Sequence, residues 1–144
     1  MLGIFERQIE RGLPISVTDP EVARVGLTEI EARAAGLDFE ITTHLLDEHD
    51  RAIADGEAHG CIRLITPRGS DRILGATIVA THAGDTIAEF VLAMRHGLGL
   101  RKILATVHIY PTLAEANKAA AGAWQSRHLP GRLLQLAGYL NRRR

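Results

Sequence analysis

Residues 73–80 read Ile73-Leu74-Gly75-Ala76-Thr77-Ile78-Val79-Ala80 and are apolar at almost every position. A short apolar run rich in β-branched residues reads as a strand, and one with so little polar surface belongs in the centre of a sheet. The chain must therefore supply strands on both sides of it. Gly60–Thr66 is the clearest neighbour, and Arg72–Thr81 is the full extent expected for the central strand. Pro67-Arg68-Gly69-Ser70-Asp71 joins the two as a hairpin turn. Ile15-Ser16-Val17-Thr18, Val22 to Val25 and Phe39 to Leu46 supply further strands, the last through β-branched Ile41, Thr42 and Thr43. Asp19-Pro20 marks a turn between the first two.

Helix signals fall between and after these strands. Thr28-Glu29-Ile30-Glu31 has the form of a capping box, opening a helix to about Ala35 with Gly36 as a left-handed stop. Asp47 to Gly60 is polar and reads as a loop or loose hairpin. Asp85 is a candidate N-cap for a helix with Ile87, Phe90, Val91 and Met94 on one buried stripe, stopped at Gly97. Another helix follows Thr112. Its small residues, Ala114, Ala116, Ala119, Ala120, Ala121 and Ala123, would let another element approach closely. After Pro130 a last helix carries Leu133, Leu136, Ala137 and Leu140. Strands gather in the first half and helices in the second, without a βαβ rhythm. The expectation is an α+β fold, a mainly antiparallel sheet with helices packed on one face. Residues 1–13 read as an arm or short helix, 14–128 as the main domain, and 129–144 as a helix with a basic tail.

Charge and composition narrow the function. Lys+Arg and Asp+Glu both number 17, a balance that argues against a general nucleic-acid binder. Arg142-Arg143-Arg144 reads as a solvated tail. No stretch approaches the roughly 20 apolar residues of a membrane span. The N-terminus lacks a secretory pattern, so a cytoplasmic protein is expected. Cys61 is the single cysteine, which excludes an internal disulfide, and its strand-like setting suggests a small buried hydrophobe. Gly97-Leu98-Gly99 lacks the third glycine of a dinucleotide fingerprint. His44, His49 and His59 lie near Asp47, Glu48 and Asp50, but their spacing matches no ligand pattern, and no metal site is expected.

One run carries more chemistry than the rest: His108-Ile109-Tyr110-Pro111-Thr112-Leu113-Ala114-Glu115. Two rings and a proline stand just ahead of a helix start, with an acid in its first turn. Thr112 to Glu115 has capping-box form, so Glu115 has a structural use open to it, and Tyr110 could be a core aromatic. The functional reading divides the rings, one facing the fold and the other a partner, with Glu115 orienting the outward one.

Several segments together resemble the C-terminal dimerisation domain of the pyridine nucleotide-disulfide oxidoreductases. The opening Thr18-Asp19-Pro20-Glu21-Val22-Ala23-Arg24-Val25-Gly26-Leu27-Thr28-Glu29 is similar to the start of that domain. Ile73-Leu74-Gly75-Ala76 and Ala83-Gly84-Asp85 match its middle, and 108–115 its active-site segment. The tyrosine version looks closest to mercuric reductase-like and dihydrolipoamide dehydrogenase-like members. The resemblance implies a homodimer, with flavin and nucleotide domains of a parent enzyme as further partners. It implies that an H-x-H-P-T-x-x-E segment lies beside the FAD and redox disulfide of the other subunit. Tyr110 then stands at the acid/base position, Glu115 at the supporting acid, and His108, Tyr110 and Pro111 lie near a partner's flavin. It also implies a cis Tyr110–Pro111 bond.

A phenol titrates near ~10 and an imidazole near ~6.5, so Tyr110 suits hydrogen-bond donation better than base catalysis at neutral pH. FAD and NAD(P)H belong to the intact family enzyme; these 144 residues carry neither nucleotide motif nor cysteine pair. No activity or cofactor binding is expected from the chain alone. A free-standing binding or scaffold module that kept the fold without redox chemistry is the alternative.

Overall fold

The computed structural model describes residues 15–16 and 19–129. The N-terminal arm, the helix expected after Pro130 and the arginine tail lie outside the described residues. Five strands form one antiparallel sheet: β1 (Ile15–Ser16), β2 (Glu21–Gly26), β3 (Phe39–Leu45), β4 (Cys61–Pro67) and β5 (Gly75–Ala80), in the order β1-β2-β5-β4-β3. The apolar run does occupy the centre. Its register sets Ala23 beside Ile78 beside Ile62, and Val25 beside Ala76 beside Leu64. Side chains alternate between the faces of a strand, so these residues share one face. All six are buried in the main core with Phe90, Leu100, Ile103 and Trp124.

Six helices are described: α1 (Glu29–Ala34), α2 (Asp50–Ala54), α3 (Ala83–Thr86), α4 (Ala88–Arg95), α5 (Leu100–Ala105) and α6 (Glu115–His128). Buried residues of α3 to α6 join the main core. Leu27 and Ala32, at and within the start of α1, build a smaller cluster with Ile65 and Leu74. Ion pairs from Arg24 to Glu31 and from Arg63 to Glu29 tie α1 to β2 and β4. The architecture is α+β, as expected.

The central strand is shorter than Arg72–Thr81. Asp71 supplies the reason: its carbonyl accepts from the Leu100 amide (2.8 Å) and its carboxylate from the Arg101 amide (3.2 Å). The segment is drawn off the ladder to cap α5. A Cβ at Gly99 would collide with Asp71, so this approach requires glycine there. The short helix α5 escapes periodicity analysis, as does α2 within the stretch expected to be a loop. Asp85 is not the N-cap. The segment begins one turn earlier, with His82 in a left-handed conformation (φ 57°), and the Gly84 amide donates to Glu21 Oε2 at 3.0 Å. The acid that serves this helix start comes from β2, which local pattern cannot show.

The first capping box forms as read. Thr28 Oγ1 accepts from the Glu31 amide (3.2 Å), and Glu31 Oε2 accepts from the Thr28 amide (2.7 Å). The Thr28 amide bond first, and then the Thr28 hydroxyl, which donates to Glu31 Oε2 at 2.8 Å, hold the Glu31 carboxyl below its ordinary 4.5. Its stabilising share is full above that value and fades as pH falls through the depressed one. Thr28→Ala should cost about 1 kcal/mol in urea unfolding at neutral pH, with the difference from the parent shrinking in acid.

Candidate functional site

The 108–115 run is the bridge between α5 and α6. At its entry Thr106 Oγ1 donates to the Lys102 carbonyl (2.8 Å), closing α5. His108 then turns inward, its side chain 6% exposed. Nε2 lies 3.0 and 3.1 Å from the two Glu89 oxygens, and Nδ1 lies 3.1 Å from the Thr106 carbonyl. Beneath them, fully buried Asn117 of α6 donates through Nδ2 to Glu89 Oε2 and to the Thr86 carbonyl, both at 2.9 Å. The loop is thereby pinned to α3, α4 and α6 at once.

Tyr110 turns the other way and is 64% exposed, next to Ile109 at 74% and Val107 at 87%. The rings do divide between fold and outside. Regular strand alternation would put residues two apart on the same face; the division comes instead from the irregular path of the loop. The Tyr110–Pro111 bond is cis, in agreement with the resemblance. Tyr110 is therefore not a core aromatic. Its hydroxyl donates to Asp50 Oδ2 at 2.6 Å. That bond, followed by the Asp50 charge, burial and the Glu115 charge, raises the phenol above its ordinary 10.0.

Glu115 does not cap α6. The helix starts at Glu115 itself, Ala114 is already helical, and Thr112 Oγ1 donates to the Ile109 carbonyl at 2.7 Å. The Thr112–Glu115 capping box is absent because its hydroxyl is spent inside the loop. Glu115 instead lines a cleft of about 320 Å³ with His49, Asp50, Tyr110 and Lys118. Tyr110 and Glu115 thus border one space, whereas His108 braces the loop from behind. The small residues of α6 serve the fold first: Ala116, Ala120 and Ala121 are buried in the main core.

Sequence reading missed Asp50 as a partner of this run because it lies 60 residues away on an unexpected helix. The only local signal was its place in the acidic, histidine-containing stretch. That stretch does not converge on a metal; among the described residues no group of three or more His, Cys, Asp or Glu side chains is arranged to hold one. His49 Nε2 lies 3.0 Å from the Thr112 carbonyl, and His59 pairs with Glu57 at 3.3 Å. Cys61, expected to be buried, is half-buried at the first position of β4, opposite exposed Leu45. Among the described residues no helix is long and apolar enough to cross a membrane.

Residues 14–121 match the family described as pyridine nucleotide-disulphide oxidoreductase, dimerisation domain. The chain belongs to this family. It is 41% identical to the mitochondrial dihydrolipoyl dehydrogenase of Dictyostelium discoideum over 107 residues, 74% of this chain and 22% of that protein. It is 39% identical to the dihydrolipoyl dehydrogenase of Vibrio cholerae over 111 residues, 77% of this chain and 23% of the relative. The same fold occurs in LpdA from Mycobacterium tuberculosis, with a TM-score of 0.73 and 21% identity over 85% of this chain and 26% of that one. It occurs also in the HOCl-induced flavoprotein disulfide reductase RclA from Escherichia coli, with a TM-score of 0.72, 22% identity, and coverage of 77% and 26%. The chain spans about a quarter of the length of these relatives. The dimerisation domain is the part of them it matches.

Two outcomes test this geometry. Asn117→Ala removes both bonds that tie α6 to α3 and α4; with half-buried acceptors left short, it should cost about 1–3 kcal/mol in chemical denaturation. Burial pushes the His44 imidazole below its ordinary 6.5, with nearby His49 adding repulsion. The unfolded chain then takes up this proton before the folded one does, so stability declines as pH falls through 6.5. His44→Gln should flatten that decline in a series of melting temperatures.

Proposed function

We propose that this dimerisation domain pairs with a second copy of itself about a two-fold axis, and that the 106–112 loop is the part presented to the partner. The carrying observation is the outward-facing triad of Val107, Ile109 and Tyr110 on a loop whose base is pinned by His108. Large exposed apolar side chains on a braced loop favour an interface over a solvated tip.

The intact enzyme of this reading has flavin and nucleotide domains and uses FAD and NAD(P)H. The loop fits contact with the rim of a partner's flavin rather than a cofactor cradle of its own. Tyr110 and Pro111 offer an aromatic and apolar face, and His108 is already engaged with Glu89. A bound flavin supplies two-electron transfer. Tyr110 then offers a protonated phenol held by this chain's acids, and Glu115 borders the same cleft. The 41% and 39% identities favour a parent of the dihydrolipoyl dehydrogenase kind. A tyrosine at the acid/base position points instead to a member whose proton handling differs, such as a mercuric reductase-like parent. The chain alone is proposed to be inactive and its compartment cytoplasmic.

Sedimentation at tens of micromolar tests the interface. A dimer is expected. Val107→Asp with Ile109→Asp should weaken it by roughly 10- to 100-fold for each anchor lost, since burying a large apolar side chain contributes ~1.5–3 kcal/mol. Circular dichroism should not change. A parent chain that stays strictly monomeric would overturn a self-sufficient two-fold interface.

A further inference from the structure

We infer that Asp50 is the positioning residue of Tyr110, taking the part that the H-x-H-P-T-x-x-E pattern gives to the glutamate, here Glu115. Its functional meaning rests on the proposal that Tyr110 faces a partner's active site, but the contact itself lies within one chain.

The geometry distinguishes the two acids. Tyr110 Oη donates to Asp50 Oδ2 at 2.6 Å, a short, charge-assisted bond. Glu115 borders the same cleft, but the phenol is committed to Asp50. The neighbour of Asp50 grips the same loop: buried His49 reaches the Thr112 carbonyl at 3.0 Å. Two consecutive residues thus hold positions 110 and 112. Asp50 is the first residue of the short helix α2. The next residue, Arg51, pairs with Asp55 at 2.7 Å across one turn.

The consequence is chemical. A phenol has one proton to donate. While that proton is directed at Asp50, the Tyr110 oxygen faces outward as a hydrogen-bond acceptor. A group approaching from the partner side would have to bring its own donor, such as an N–H, O–H or S–H. The charged and titratable groups facing the phenol are Asp50, Glu115, Lys118 and His49, all bordering the cleft. The two carboxylates resist ionisation of the phenol.

The chain has two tyrosines, so Tyr139→Phe leaves Tyr110 alone to be read. In that background, ultraviolet titration of the phenol should show a lower midpoint in Asp50→Asn than in the parent. The drop should exceed that in Glu115→Gln. A second reading at neutral pH avoids alkaline unfolding: the carbon-13 resonance of the Tyr110 Cζ should move in Asp50→Asn and stay nearly fixed in Glu115→Gln. An equal or larger response to Glu115→Gln in either measurement, or none to Asp50→Asn, overturns the assignment. Sedimentation of the same samples keeps the readings apart. A monomer with the expected Tyr110 response defeats the two-fold interface and leaves Asp50 in place; a dimer without that response does the reverse.

Discussion

Trp124 is fully buried, and its surroundings fix where α6 lies on the sheet. The indole Nε1 donates to Glu40 Oε1 of β3 at 3.3 Å, the Arg101 guanidinium sits 5.7 Å from the ring, and His128 stacks on it at 4.2 Å. His128 also reaches Glu40 at 2.9 Å, and Arg127 donates to the Ile41 carbonyl at 2.8 Å. One aromatic residue therefore joins α5, α6 and the β3 edge. A large ring can do this because it buries wide apolar area while its N–H still needs a partner. Both ends of the 106–114 loop belong to helices held this way. The bridge between them can then carry exposed apolar residues without collapsing onto the core.

That arrangement explains why the site was only half legible. The first capping box and the Gly36 and Gly97 stops rest on contacts within a few residues, and the central strand announces itself by its unbroken apolar run; the sequence states both directly. The helix starts did not follow the same rule. The α3 start is served by Glu21 from across the sheet, and α5 by Asp71 from the turn after β4. In both, a tertiary acid replaces the local residue that pattern reading would nominate. α2 and α5 have five and six residues, too short to display an amphipathic period.

The same limit appears twice in one motif. Thr28-x-x-Glu31 and Thr112-x-x-Glu115 are equivalent strings, and only the first forms a capping box. Thr28 has the extended backbone of an N-cap, with its hydroxyl free to accept an amide. Thr112 lies inside the loop and gives its hydroxyl to Ile109. The segment resemblance implied the cis Tyr110–Pro111 bond that the structure has. It could not find the carboxylate that holds the phenol, because that residue arrives from outside the motif.

A carboxylate does different work behind a phenol than behind an imidazole. Beside an imidazole it favours the charged, protonated ring and so strengthens a base that operates near neutrality. Beside a phenol it disfavours the charged form, so the proton stays on and the ring becomes less able to act as a base. The Tyr110–Asp50 pair is built in the second way, with Glu115 adding to it in the same direction. Keeping the acid while replacing the ring therefore reverses what the acid contributes. On the proposed reading of the loop, the Tyr110 phenol would place and hydrogen-bond a neighbouring group rather than take up a proton at neutral pH.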